Sequence, residues 1–176
     1  MGHIAGGQWF DFQTYPPGST TRFPGKGKAM KTTTEILLVD DNPADLDLTT
    51  EMLSRGDFTG RVRTVNDGAE AIAFLHGQGK YAGAQVPDLI VLDLNLPKKD
   101  GRAVLADVKN DPALRKTPVV VFSTSQAPRD ILGSYELGAN SYVSKPGDLQ
   151  QFALAVKSIQ DFWFCCARLP KEEKQL

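Results

Sequence analysis

The stretch PDLIVLDLNLPKKDG, residues 87–101, runs four apolar residues, Leu89 to Leu92, straight into a carboxylate, Asp93. A short bounded run without polar alternation reads as a strand buried on both faces, the condition of a parallel sheet covered by helices. An ionisable group directly after such a run, and before another leucine, is expensive to bury unless a cation or hydrogen bonds meet it. Asp93 therefore reads as a functional residue. The rest of the chain repeats the pattern. Ile36 to Val39 leads into Asp40 and Asp41, Val119 to Phe122 into Ser123, and Tyr142-Val143 towards Lys145.

Helical patterns separate these runs. One spans 43–55 with Leu46, Met52 and Leu53 and is followed by a strand near 61–65; a second, 68–75, carries Ile72 and Phe74. Residues 77–83 read as a loop, 101–110 and 129–137 as the third and fourth helices, and the fifth begins at Leu149. Five β/α units without an internal repeat or a Gly-x-Gly-x-x-Gly turn predict an α/β chain of flavodoxin-like (βα)5 type. This is a doubly wound parallel sheet of strand order 2-1-3-4-5. Ligands of such sheets lie beyond the carboxyl ends of the strands, so Asp40, Asp41, Asp93, Ser123 and Lys145 are expected to converge.

That set has a definite chemistry. Three carboxylates in one concavity repel one another, and a hard divalent cation with a preference for oxygen relieves the repulsion. Mg²⁺ is the natural candidate. Lys145 can neutralise a phosphoryl oxygen and Ser123 can donate to another, which leaves Asp93 as a nucleophile able to form an acyl phosphate. Singly, the residues also have plain uses. Asp40 and Asp41 could be solvated turn residues, and Asp41 or Asn42 could cap a helix with Pro43 close behind. Ser123 and Lys145 could be a strand-end hydroxyl and a surface lysine. Only the ordered set carries the functional reading.

The quoted segment, with LLVDD at 37–41, Ser123 and YVSKP at 142–146, resembles the receiver domain of two-component response regulators over residues 34 to 160. The resemblance implies that Asp93 accepts a phosphoryl group from a histidine kinase. It implies that Asp41 and the Asn95 backbone carbonyl join Asp93 on Mg²⁺, while Asp40 holds a water on the metal. Ser123 and Tyr142 would be the switch pair: charge added at Asp93 draws Ser123 inward and vacates space for Tyr142. The Lys145–Pro146 bond would be cis. Thr124 and Gly147 depart from the commoner alanine and aromatic residues of the family. The segments LNLPKKDGR at 94–102 and SYEL at 134–137, with the apolar chain end, are similar to single-domain regulators paired with phytochrome-type histidine kinases. Those are typically homodimers through the fourth helix, fifth strand and fifth helix. A bacterial light-signalling phosphorelay is implied, and no enzyme activity beyond self phosphotransfer and autodephosphorylation.

Composition is compatible with this. The 176 residues are 41% hydrophobic, enough for one sizeable core, and no apolar run is long enough to span a membrane. A net charge of −1 leaves no basic stripe for nucleic acid. A stand-alone, cytoplasmic protein is expected. Cys165 and Cys166 are adjacent, which suits neither a metal-ligand spacing nor a disulfide framework, and reduced thiols are the default. His3 and His76 show no partner pattern. Residues 1–31 are Gly- and Pro-rich and lack the pattern of a signal peptide, which reads as a disordered extension or a non-native leader. A receiver domain over 32–168 and a flexible tail over 169–176 complete the division.

On the last helix Leu149, Phe152, Val156, Ile159, Trp163 and Cys166 follow steps of three and four and should face the sheet. Phe162, Phe164 and Leu169 fall off that face. With Trp163, the aromatic pair Phe162 and Phe164 forms the expected dimer surface. Two other classes stay open. A haloacid-dehalogenase-like phosphatase also uses a strand-end aspartate with Mg²⁺, although it wants an aspartate where this chain has Asn95. A receiver-like adaptor could be dimeric constitutively, without a phosphorylation switch.

Overall fold

The structure, a computed structural model, describes residues 34–55 and 58–170. The expectations for residues 1–31 and for most of the tail lie outside the described residues. Five strands, β1 Glu35–Val39, β2 Arg61–Val65, β3 Leu89–Leu92, β4 Val119–Ser123 and β5 Ser141–Ser144, alternate with five helices. The helices are α1 Pro43–Ser54, α2 Gly68–Leu75, α3 Gly101–Asn110, α4 Pro128–Glu136 and α5 Leu149–Gln160. A 3₁₀ turn, Gly79–Tyr81, sits inside the segment read as loop. All strand pairs are parallel and the order is β2-β1-β3-β4-β5, the flavodoxin-like arrangement.

The period of two along a strand divides the core into two layers. Leu37 and Val39 of β1 meet Ile90 and Leu92 of β3 and Val119 and Val121 of β4 on one face, covered by Ala71, Phe74 and Leu75 of α2 and Val104, Leu105 and Val108 of α3. Ile36 and Leu38 point the other way, with Leu89, Val91, Val120 and Phe122, onto Leu53 of α1 and Phe152, Val156 and Ile159 of α5. Strands covered on both sides leave no polar alternation, which is why the sequence runs are continuous. Each such Leu, Ile or Val contributes about 1.5–3 kcal/mol on burial.

Turn chemistry sets where the helices begin. Asn42 accepts from the Ala44 N–H with Pro43 at the start of α1, so Asn42 and not Asp41 is the cap. Asp67, Asp100 and Asp148 cap α2, α3 and α5 in the same way. Gly101 must be glycine because a Cβ there would run into the Asp93 carbonyl oxygen, a contact that seats α3 directly behind the end of β3.

Three expectations are corrected. The Lys145–Pro146 bond is trans, since no cis peptide occurs among the described residues; trans is the preferred state of X–Pro bonds, and Lys145 reaches its partners from it. Leu149 is exposed rather than core-facing, because first-turn side chains lean back past the helix start. The end of α5 changes period: Asp161–Cys166 is a π-helical turn, closed by the Ala167 N–H on the Phe162 carbonyl. The wider turn rotates Phe164 inward, where its ring lies 4.9 Å from that of Phe58, and leaves Cys166 outside. Trp163 packs against the core and edge-on to Phe162, so of the three aromatics only Phe162 is exposed.

Candidate functional site

Register alone places the acidic residues together. Val39 pairs with Leu92, so the residues that follow, Asp40 and Asp93, leave the sheet side by side. Backbone bonds continue past the strand ends: the Asp93 N–H donates to Val39 O at 2.9 Å and the Asp40 N–H to Val65 O at 3.2 Å. On the other flank Ser123 pairs with Ser144, and the Lys145 N–H donates to Ser123 O at 2.8 Å. Asp40, Asp93, Ser123 and Lys145 are all buried, while Asp41 is exposed at the rim.

The hub is the Lys145 ammonium. Its Nζ donates to Asp40 Oδ2 at 2.5 Å, Asp93 Oδ2 at 2.7 Å and Asp45 Oδ2 at 3.0 Å. Burial alone would favour the neutral amine, but the hydrogen bonds to Asp40 and Asp93 outweigh it and hold the Lys145 pKa well above its ordinary value. Burial pushes the Asp40 carboxyl above the usual carboxylate range against the pull of Lys145, and the neighbouring Asp93 adds to the rise. Asp40 Oδ1 also accepts from the Asn42 N–H at 3.0 Å.

Asp93 is held at both oxygens. Its Oδ1 accepts from Ser123 Oγ at 2.8 Å and from the Asn95 N–H at 3.1 Å, while Oδ2 takes Lys145. A group added to either oxygen meets a hydroxyl or an ammonium at once. Carboxylate oxygens of Asp40, Asp41 and Asp93 lie within 4.8 Å of one another. An all-oxygen donor set with excess negative charge and an exposed rim fits a hard divalent cation such as Mg²⁺, which keeps several waters.

Tyr142 stands beside this cluster rather than in it. Its ring packs on the core, its hydroxyl donates to Ser125 O at 2.8 Å, and burial raises its pKa. Ser123 is thus already bonded to Asp93 and Tyr142 already packed inward, without any added charge. Beyond them a polar chain crosses the mouth of the site. Ser125 Oγ donates to Asp130 Oδ2 at 2.6 Å, and Arg102 from α3 reaches Asp130 Oδ1 on α4 at 2.8 Å. The Ser125 hydrogen bond and then Arg102 hold the Asp130 carboxyl below the usual range.

Asp45, Arg102 and Asp130 escaped the sequence reading. Asp45 looks like an ordinary acidic residue of a first helical turn. Arg102 and Asp130 belong to different helices, and nothing local signals that they meet. Thr124 is exposed at the rim, as is Gly147.

Comparison with known proteins follows the same lines. The family model for the response regulator receiver domain matches residues 36–157. Response regulator Rcp1 of Synechocystis sp. is 44% identical over 135 residues, 77% of this chain and 92% of Rcp1. The crystal structure of the phosphorylated cyanobacterial phytochrome response regulator RcpA superposes with a TM-score of 0.77 at 50% identity, over 79% of this chain and 99% of that one. The Mn²⁺-bound form of Rcp1 gives 0.77 at 43% identity, over 78% and 99% of the two chains.

Proposed function

The chain belongs to the response regulator receiver domain family, and on that premise we propose that it is a stand-alone regulator that takes a phosphoryl group from a sensor histidine kinase onto Asp93. The single observation that carries this is Asp93 itself, a buried carboxylate gripped by Ser123 and Lys145 beside two further aspartates. In the transfer an Asp93 oxygen attacks phosphorus, the P–N bond to the kinase histidine breaks, and the imidazole leaves with the electron pair. Lys145 stays on the phosphoryl oxygens as a point charge, and Ser123 moves its hydrogen bond from the carboxylate to one of them. Asp41, Asp93 and the Asn95 carbonyl, with Asp40 at one remove, are the groups that would hold Mg²⁺. When bound it would neutralise charge on the phosphoryl oxygens.

The output is a contact, not a product. A shift of Ser123 acts on the adjacent β4–α4 loop, where Ser125 joins Tyr142 to Asp130 and Arg102, and so on the α4-β5-α5 surface. Leu132 and Tyr135 of α4, Leu154 of α5 and Phe162 are exposed there, which supports a homodimer on this face. A phytochrome-type kinase in a cytoplasmic bacterial light-signalling phosphorelay is the proposed partner. The likeness to a phytochrome response regulator over 99% of its chain supports it. No helix among the described residues is long and apolar enough to cross a membrane.

The test is phosphoryl transfer from a radiolabelled histidine kinase. Label is expected on the wild type and absent from Asp93→Asn; equal labelling of that variant would sink the assignment. A second reading, a constitutively dimeric adaptor, is favoured by one observation, the inward Ser123 and Tyr142 described above. Light scattering with Mg²⁺, and then with beryllium fluoride as a phosphoryl mimic, separates the two. A mass that rises from monomer to dimer speaks for the switch, and a dimer throughout speaks for the adaptor.

A further inference from the structure

The loop joining β3 to α3 carries both Asp93 and the Asn95 carbonyl, and it is braced from outside the acidic cluster. Its inner end is tied by the Gly101 N–H on Leu94 O at 2.9 Å and by the Asn95 N–H on Asp93. Its outer end rests on the start of α2. The Gly68 N–H donates to Pro97 O at 3.4 Å, and a Cβ at Gly68 would run into the Lys99 carbonyl, so only glycine allows this approach. Between the two anchors Lys98 has φ of +62°, the only non-glycine in the left-handed region among the described residues. Such a conformation persists in a long side chain only where its surroundings impose it.

A tight turn accompanies this conformation, the Lys99 N–H donating to Pro97 O at 2.7 Å across Lys98, and the Lys98 side chain is tied to Asp67. Asp67 is buried, its Oδ1 accepts from the Glu70 N–H at 2.7 Å to cap α2, and its Oδ2 accepts from the Lys98 ammonium at 2.5 Å. The Lys98 hydrogen bond also holds the Asp67 carboxyl below the usual range. We infer that Asp67 is a positioning residue for the metal site: by fixing Lys98 it sets the β3–α3 loop and with it the Asn95 carbonyl offered to the cation. The inference rests on the reading of the acidic cluster as a Mg²⁺ site.

Helix capping alone would also account for a buried Asp67, and Asp67→Asn separates the two roles. Asparagine caps as well as aspartate but cannot hold Lys98 by charge. The experiment is calorimetric titration of Mg²⁺ into the full chain as wild type, Asp67→Asn, Lys98→Met and the double variant, with Asp93→Asn as control. Each single variant is expected to weaken binding about threefold, the scale of a half-exposed ion pair, and the double no further than either single. Melting temperatures of the singles should stay near wild type. Wild-type affinity in both singles, or losses that multiply in the double, would overturn the positioning role and leave the metal site standing. A wild type that takes no Mg²⁺, or an Asp93→Asn that binds it equally, would sink the site and this inference together. Lys98→Met, at an exposed position, keeps the test open should Asp67→Asn fold poorly.

Discussion

Replacing Lys145 with methionine isolates the electrostatic centre of the molecule, because methionine fills the volume of the lysine stem and removes only the ammonium. That ammonium serves Asp40, Asp45 and Asp93 at 2.5–3.0 Å, and its side chain is 3% exposed. Without it, carboxylates within 4.8 Å of one another face an uncompensated interior. Two unit charges at that separation repel by about 3.5 kcal/mol at an effective dielectric near 20, and the exposed Asp41 lowers the figure. Removing one partner of a buried ion pair costs about 3–5 kcal/mol, so the two routes agree on roughly 3 kcal/mol. In a chain of 176 residues that corresponds to a fall in melting temperature of about 10 °C. The assay is thermal unfolding followed by circular dichroism at pH 7, in EDTA and then in excess Mg²⁺. Mg²⁺ at a hundredfold over the wild-type dissociation constant adds about 2.7 kcal/mol to the wild type, and at that same concentration the variant should gain more, because its carboxylates lack their cation and bind Mg²⁺ more tightly. A variant melting within about 2 °C of wild type in EDTA would refute the reasoning. The carboxylates would then be held by something other than Lys145.

The same pair should converge at high pH. The folded pKa of Lys145 lies above the unfolded value, so its contribution is complete below about pH 10.4 and is lost as pH rises through the folded value. The stability gap between wild type and Lys145→Met, from urea midpoints, should therefore be constant from pH 7 to 9 and narrow by up to about 1.4 kcal/mol per unit at higher pH. Gly101→Ala should destabilise by about 3 kcal/mol or more, since the added methyl meets the Asp93 carbonyl rather than a flexible side chain; a neutral effect would show that α3 can slide off β3. Phe164→Ala should cost about 2 kcal/mol of monomer stability through its contacts with Phe58 and the core. Phe162→Ala, by contrast, should change stability by less than about 0.5 kcal/mol. Equal effects of the two would mean that the π turn does not divide inner from outer aromatics as described.

Local periodicity determined much of this protein. Continuous apolar runs mark strands covered on both faces, and the alternation with helices leads to the parallel sheet and its order. Because side chains beyond strand ends emerge at one edge of such a sheet, Asp40, Asp93, Ser123 and Lys145 were legible as a cluster from their place after each run. Tertiary structure alone decided what no local window contains. Asp45 joins the cluster because α1 turns it back over Lys145, and Arg102 meets Asp130 only because α3 and α4 open on the same edge. Tyr142 is already inward because the Ser125 carbonyl accepts its hydroxyl. The fate of Phe164 was decided by one π turn, a backbone choice that moves an aromatic from surface to core while the apolar spacing stays unchanged. Periodicity reports which face is apolar; distance and hydrogen bonding across elements settle which groups touch, and those exist only once the chain has folded.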